Sequence, residues 1–334
     1  MRLIKASKSL IGIDIGSTAV KLLEVKKSRG TYRVESYAIR PLAKGTVVDG
    51  HIEDADDVTQ ALVQALDEAR PATRKAAIAL PAHLAITQTL VFPAELDEQA
   101  IEERLLAESD HPLAFPFTDV AFDFVTQDPA PGAPHLQQVL LVACRQQDLW
   151  PWTSVVARAG LDPVAVDIST FALARAFSVL GASGPDDGSA TCAGLVEVTL
   201  GAQREATMTL HVLHEGQVVY TQESRLARLA DMARMPSALW SNSLAQQVNR
   251  ALRLYYATQD ALAPTHLVLV GDGASAPGLA AQLSKACGIE VILGDPLGAV
   301  GSSKQLTQRR EHQALAEDSA RLMTACGLAL RVVP

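Results

Sequence analysis

The sequence predicts an α/β fold of more than one compact unit, and three observations carry that prediction. Residues 10–25 read as a strand, a small-residue turn and a second strand, with aliphatic and β-branched residues flanking Gly16, Ser17 and Thr18. Strand-length apolar runs then alternate with segments of helical spacing along the rest of the chain. At 334 residues the chain is too long for one core and suits two or three units of ordinary size.

The elements follow in order. Ser28-Arg29-Gly30 turns the chain into Thr31-Tyr32-Arg33-Val34-Glu35, which alternates outward charge with inward bulk. Val58, Ala61, Leu62, Ala65, Leu66 and Ala69 recur at helical spacing, with Asp54 to Asp57 at the end that the helix dipole favours for carboxylates. A strand at 76–80 stops at Pro81. Residues 84–159 then form a self-contained pattern: a strand at 86–92, a helix carrying Ile101, Leu105 and Leu106, strands near 120–125 and 139–143, and a helix at 148–159. Trp150 and Trp152, either side of Pro151, are expected to pack this unit. Asp128-Pro129-Ala130-Pro131-Gly132-Ala133-Pro134 reads as a turn-rich loop, and residues 181–189 as the clearest linker. Beyond the linker, strands are expected at 195–198, 207–213 and 218–221. The helix at 244–256 presents Leu244, Val248, Ala251, Leu252 and Tyr255 on one side. A strand at 267–270 leads into Gly271-Asp272-Gly273-Ala274, and a last helix near 314–325 precedes Gly327 and a short apolar tail.

Composition narrows the function. Apolar residues make up 48% but aromatics only 4%, so aliphatic and alanine packing must fill the core. The net charge of -8 opposes general nucleic-acid binding, which needs a basic surface. No apolar run approaches the roughly 20 residues that span a bilayer, and Asp14 interrupts the first one, so neither membrane insertion nor a signal peptide is expected. Arg2, Lys5 and Lys8 are too few for a membrane anchor. Cys144, Cys192, Cys287 and Cys326 are isolated, which fits reduced thiols in the cytoplasm and no metal site. His211 and His214 stand three apart in a strand, so they point to opposite faces and read as surface or hairpin residues. Asp97, Glu98, Glu102, Glu103 and Glu108 read as a solvated helix face.

The first turn carries the chemistry. Gly16 is free to take backbone angles closed to other residues, and Ser17 and Thr18 offer hydroxyls and N–H groups that can cup a phosphate. Asp14 is placed to hold a magnesium-bound water, and Lys21 to reach the same anion. On the residues alone, a plain hairpin in which Asp14 caps the turn stands equally well. Gly271 and Gly273 have two readings as well, strand-to-helix packing or a backbone laid against a base or ribose.

The pattern Gly-Ile-Asp-Ile-Gly-Ser-x-x-Val-Lys-Leu-x-Glu at residues 12–24 resembles the first phosphate loop of the actin-like ATPase superfamily, in the form found in the PilM family of type IV pilus assembly proteins, relatives of the cell-division protein FtsA. Further matches are Ala77-Ile78-Ala79-Leu80-Pro81, Ala159-Gly160-Leu161-Asp162-Pro163, Gly271-Asp272-Gly273-Ala274 with Pro277-Gly278-Leu279, and Cys326-Gly327-Leu328-Ala329-Leu330-Arg331. The resemblance implies an actin-like fold of two related RNase H-like halves. The first subdomain would span 1–83, completed by 160–188 and 312–334. A small α+β insert would occupy 84–159, with Pro116 and Phe117 resembling the family's Pro-Phe. The second subdomain would span 189–311. It also implies ATP and magnesium held by Asp14, Gly16, Ser17, Thr18 and Lys21 at the phosphates and by Gly271, Gly273 and Ala274 near the nucleoside, with no catalytic residue.

Two departures from the family weaken that site. The second phosphate loop, of Asp-x-Gly form in relatives, reads Glu197-Val198-Thr199-Leu200-Gly201, so Glu197 or Thr199 replaces the aspartate. About a score of residues between the last hairpin and the following helix cannot supply the outer subdomain that closes over nucleotide, given a rise of ~1.5 Å per helical residue, and Gln247 stands where many relatives carry Glu. The implied function is a cytoplasmic, non-enzymatic scaffold held at the inner membrane through a PilN-like bitopic protein and other pilus platform proteins. The partner's N-terminal peptide would lie in a groove between the first subdomain and the insert, and ATP binding would be weak or lost. Alternatives are a component of a type II secretion or related platform, and a phosphotransferase of the sugar-kinase kind, for which neither a base nor a closing subdomain is evident. FtsA ends in an amphipathic helix that Leu330-Arg331-Val332-Val333-Pro334 does not resemble.

Overall fold

A computed structural model describes residues 9–28, 31–107, 117–130, 133–179, 192–201, 205–226, 237–258, 261–296, 301–302 and 318–331. The expected linker at 181–189, the turn at Arg29-Gly30, Glu108, Pro116, the start of the last helix and the basic residues of the first eight positions lie outside these. The chain divides into a larger unit, Met1–Ala79 with Val155–Pro334, and a smaller one, Leu80–Ser154.

The larger unit opens with β1 (Ser9–Ile15), β2 (Ala19–Ser28) and β3 (Thr31–Pro41), an antiparallel meander, followed by the short pair β4 (Val47–Val48) and β5 (His51–Ile52). Helix α1 (Ala55–Ala69) buries all six residues that its spacing selected. Asp54 caps it by accepting the backbone N–H groups of Asp56 and Asp57, each at 3.0 Å. Asp54→Ala is therefore expected to lower stability by about 1 kcal/mol, read as a shift in the urea unfolding midpoint; an unchanged midpoint would show the cap to be redundant. Strand β6 (Lys75–Leu80) returns parallel to β1.

The smaller unit is a three-stranded sheet in the order β7-β9-β8, from β7 (Ala85–Pro93), β8 (Val120–Ala130) and β9 (Ala133–Arg145), with α2 (Glu98–Ala107) and the start of α3 (Gln146–Arg158). Its core gathers Phe92, Ile101, Leu105, Val120, Val139, Leu141 and Ala143. Three expectations are corrected here. The described part of the proline-rich stretch, 128–130 and 133–134, is strand rather than loop, because β8 is an edge strand with register shifts around Pro129, where a missing N–H is tolerated, and Pro134 lies beyond the last β7 pair. Leu106 is exposed, since α2 turns only Ile101 and Leu105 inward. Of the two tryptophans Trp152 is buried, while Trp150, two positions away on the helix, faces solvent at 70% exposure.

The larger unit resumes with β10 (Asp162–Ile168) and α4 (Ser169–Val179). A second set follows: β11 (Cys192–Leu200), β12 (Ala206–His214), β13 (Gln217–Arg225), α5 (Ser237–Tyr256), β14 (His266–Val270), α6 (Leu279–Cys287), β15 (Glu290–Leu293) and β16 (Gly301–Ser302). A 3₁₀ turn at Ser319–Leu322 leads into α7 (Met323–Ala329). The two sheets repeat one plan. Five strands run β10-β6-β1-β2-β3 in the first, with β16 added at its edge, and β15-β14-β11-β12-β13 in the second. In each, the central strand pairs antiparallel with the next strand in sequence and parallel with one that returns after a helix. No helix among the described residues is long and apolar enough to cross a membrane.

Helices α4 and α7 contribute with both sheets to a single core that contains Leu23, Val25, Leu195, Val268, Leu173 and Cys326. Burial also pushes the Cys326 thiol up to about 12. Two glycines set how closely this layer packs. A Cβ on Gly12 in β1 would overlap the Ala325 carbonyl oxygen and lie 2.7 Å from the Ala329 nitrogen. A Cβ on Gly327 in α7 would overlap the Ala172 carbonyl oxygen of α4. The last helix therefore runs through Gly327 to Ala329 instead of stopping near 325, because burial of all seven of its residues outweighs glycine's weak helix propensity. Asp167 fastens this end, 2.8 Å from both Arg175 and Arg331. Helix α5 begins at Ser237 rather than 244, and buried Trp240, one turn before Leu244, is the signal that its apolar stripe extends upstream.

Candidate functional site

The hairpin of β1 and β2 places the first group. Ile15 pairs with Val20, so the turn is Gly16 to Ala19, and the Gly16 N–H donates back to the Ala19 carbonyl at 2.9 Å. Gly16 is not among the residues with positive φ, and a Cβ there would meet only Ala19 O at 3.5 Å, so the fold itself does not require glycine. Asp14 and Lys21 are directly opposed across the ladder, which puts both side chains on one face, with Nζ 3.2 Å from Oδ2. Ser17 and Thr18 are partly exposed on the turn. Glu24, at the end of the motif, is structural: it accepts from Ser9, Ser36 and the Ala72 N–H.

The loop after β14 supplies the second group. Gly271 has φ +92° and its Cβ would lie 2.5 Å from the Val198 carbonyl oxygen. A Cβ on Gly273 would overlap the Val198 side chain. Their N–H groups bind Ala320 O at 2.9 Å and Val198 O at 3.0 Å. Ala274 is in the core with α5 and α6. Of these three residues, expected beside a nucleoside, Gly271 and Gly273 fasten the loop to Ala320 and to Val198 of β11, and Ala274 packs into the core.

Between the glycines, Asp272 does what the sequence did not anticipate. Its Oδ2 lies 3.3 Å from Lys21 Nζ and accepts from the Thr18 hydroxyl at 3.4 Å. Its Oδ1 accepts from Arg321 Nε at 3.0 Å, and Arg321 Nη1 donates to Asp318 at 2.8 Å. The result is a chain of alternating charge, Asp14, Lys21, Asp272, Arg321, Asp318, joining the first half to the second. Burial pushes the Asp14 carboxyl up; Lys21 opposes this, while Asp272 and Glu197 add to it. Burial works against the charge of Lys21, yet Asp272 and Asp14 outweigh it and hold the ammonium above its ordinary value. For Asp272 burial is overcome by Lys21 and Arg321, which hold its carboxyl below the usual range. The signals for this cluster are an aspartate between two glycines and an arginine three residues after an aspartate, at the head of the C-terminal apolar run.

The hairpin of β11 and β12 faces the same region. Leu200 pairs with Ala206, which leaves five residues, 201–205, in this turn against four, 16–19, in the first. A Cβ on Gly201 would overlap the Glu205 carboxylate. Of the two candidates for the second-loop acid, Glu197 is the one whose charge acts on Asp14, while Thr199 is exposed. His211, expected at the surface, is 3% exposed: its Nδ1 lies 3.0 Å from the Thr221 hydroxyl and its Nε2 is 3.6 Å from Glu197. It is buried because its face of the sheet is covered: Leu195, directly opposite it on β11, and Leu213, two positions along β12, both belong to the core shared with α4 and α7.

A polyphosphate does not fit these residues as they stand. Lys21, the cation meant for it, is 5% exposed and bracketed by two carboxylates, and an anion at the turn would face Asp14 and Asp272. No group of three or more metal-ligating side chains occurs among the described residues. The smaller unit holds a separate cavity of about 140 Å³, lined by Leu84, Ile86, Val120, Cys144 and the Arg145 to Asp148 ion pair of 2.8 Å.

Comparison with known proteins places this geometry. Residues 12–227 and 238–333 match the family model described as type IV pilus assembly protein PilM. A solved structure described as the PilM-PilN type IV pilus biogenesis complex aligns at 24% identity over 97% of this chain and 98% of that one, with a TM-score of 0.75. The ethanolamine utilization protein EutJ from Carboxydothermus hydrogenoformans aligns at 16% identity over 96% of this chain and 89% of its own, with a TM-score of 0.54. The fold is the actin-like α/β fold of these proteins, and the chain belongs to the PilM family of type IV pilus assembly proteins.

Proposed function

We propose that this protein is a non-catalytic scaffold of a type IV pilus inner-membrane platform, working in the cytoplasm and held at the membrane through a PilN-like bitopic partner whose N-terminal peptide it binds. Membership of the PilM family carries this reading, and the relative solved as a PilM-PilN complex supports the choice of partner. The smaller unit, with its own core and its cavity beside Ile86 and Cys144, is the part to which we assign peptide recognition. An extended peptide gains affinity from backbone hydrogen bonds and specificity from pockets for single side chains, and a cavity of about 140 Å³ suits one apolar side chain. ATP binding is weak or lost, since the lysine that should hold its phosphates is already paired twice. A phosphotransferase reading is disfavoured because Asp14 and Asp272, the carboxylates nearest the first turn, are both tied to Lys21 and are not free to act as a base.

The test is fluorescence titration of the full chain with the labelled N-terminal peptide of the partner. Saturable binding is expected, with at least a tenfold loss in Cys144→Phe, which fills the cavity. Absence of binding by the unmodified chain overturns the reading. Saturating ATP is expected to change the peptide affinity by less than about 1 kcal/mol, below the usual allosteric range.

A further inference from the structure

The cleft carries its own anions. In the first turn, the Asp272 carboxylate sits 3.3 Å from Lys21 Nζ and 3.4 Å from the Thr18 hydroxyl, the two side chains that would bind a phosphate. In the second turn, the Glu205 carboxylate lies against Gly201, filling the space that the missing Cβ leaves. The Gly201 N–H donates to the Glu205 backbone at 2.7 Å, so both the backbone and the side chain of Glu205 close that turn. One Glu205 carboxylate oxygen is buried and has no hydrogen-bond partner among the described residues. Arg321, held by Asp318 on its far side, keeps Asp272 aimed at Lys21.

We propose that Asp272 and Glu205 are built-in substitutes for nucleotide phosphates: Asp272 clamps the two halves through Lys21 and Thr18, Glu205 fills the second turn, and the cleft excludes polyphosphates. This deepens, and rests on, the reading of the cleft as a weak or lost nucleotide site. The mechanism is direct competition. A polyphosphate reaching Lys21 must displace Asp272, which then stands as an unpaired anion beside the incoming one, and like charges at such distances repel strongly in a buried site. The clamp also gives the halves a fixed relation without any ligand, as a scaffold requires.

The experiment is calorimetry of Asp272→Asn, Glu205→Gln and the double variant with two probes, magnesium ATP and inorganic tripolyphosphate. Asn and Gln keep the shape and remove the charge. The double variant is expected to bind tripolyphosphate at least tenfold more tightly than the unmodified chain, with Asp272→Asn giving most of the gain. Asp272→Glu, which keeps the charge, is expected to show no gain. Peptide titration of each variant serves as the control for a folded chain, and if Asp272→Asn fails to fold, Asp272→Ser and Glu205→Gln carry the same comparison. No gain in any folded neutral variant overturns the proposal while leaving the weak-site reading intact. Equally tight binding by the unmodified chain and the double variant overturns both.

Discussion

Gly327→Ala is expected to cost about 3 kcal/mol, the upper end for overpacking a core, and to do so against the ordinary sign of the substitution. An alanine replacing glycine inside a helix usually gains up to about 1 kcal/mol from propensity alone. Here the new methyl group would overlap the Ala172 carbonyl oxygen and lie 2.5 Å from its carbonyl carbon, and both are backbone atoms of α4 that no rotamer change can move. Helix α7 has no room to retreat, because its other side is pressed on β1 at Gly12, where an added Cβ would overlap Ala325 O. Gly12→Ala is expected to be similarly damaging, and the two should not add, since both push the same helix. Urea unfolding of the full chain measures this. A neutral or stabilising Gly327→Ala would mean that α7 does not lie as close to α4 as described.

That layer explains which parts of the fold were legible in the sequence. The β1 and β2 hairpin, α1 and the strand before Gly271 were readable because local pattern and burial coincide: Val58, Ala61, Leu62, Ala65, Leu66 and Ala69 are all inside. The end of the chain was not, since Gly327 looks like a helix stop until α4 is known to lie behind it. The site divides in the same way. Asp14 and Lys21 share a face because a four-residue turn fixes their register, a fact contained in one short segment. Thr18 and Asp272 are 254 residues apart, and only the packing of the two sheets brings them together. His211 is buried rather than exposed for a related reason, because its face of β12 is covered by a core that α4 and α7 complete from distant parts of the chain.

Lys21→Met is expected to cost about 3–5 kcal/mol near neutral pH, the usual result of removing one partner from a buried ion pair. Met keeps the unbranched stem, so the loss is of charge rather than volume. It leaves Asp14 without its 3.2 Å partner and Asp272 with Arg321 alone. The pH dependence identifies the cause. In the unmodified chain Asp272 is held below its ordinary value of 3.8, so its contribution is present above that value and is lost as pH falls through the lower folded one. Asp14 is raised above 3.8, so its contribution is present below that value and is lost as pH rises through the higher folded one. Lys21 is raised above 10.5, and its contribution is complete at every pH below that. Removing Lys21 takes away the cation that lowers both carboxyls, while burial, Asp272 and Glu197 continue to raise Asp14. The variant should therefore favour protonated carboxyls more than the unmodified chain does, and its deficit should shrink on acidification. Urea unfolding of both proteins near neutral pH and at about pH 5 compares the two slopes. A deficit that stays constant or widens in acid would show that Lys21 supports the fold by packing, and that the charge chain across the cleft is not what holds the halves together.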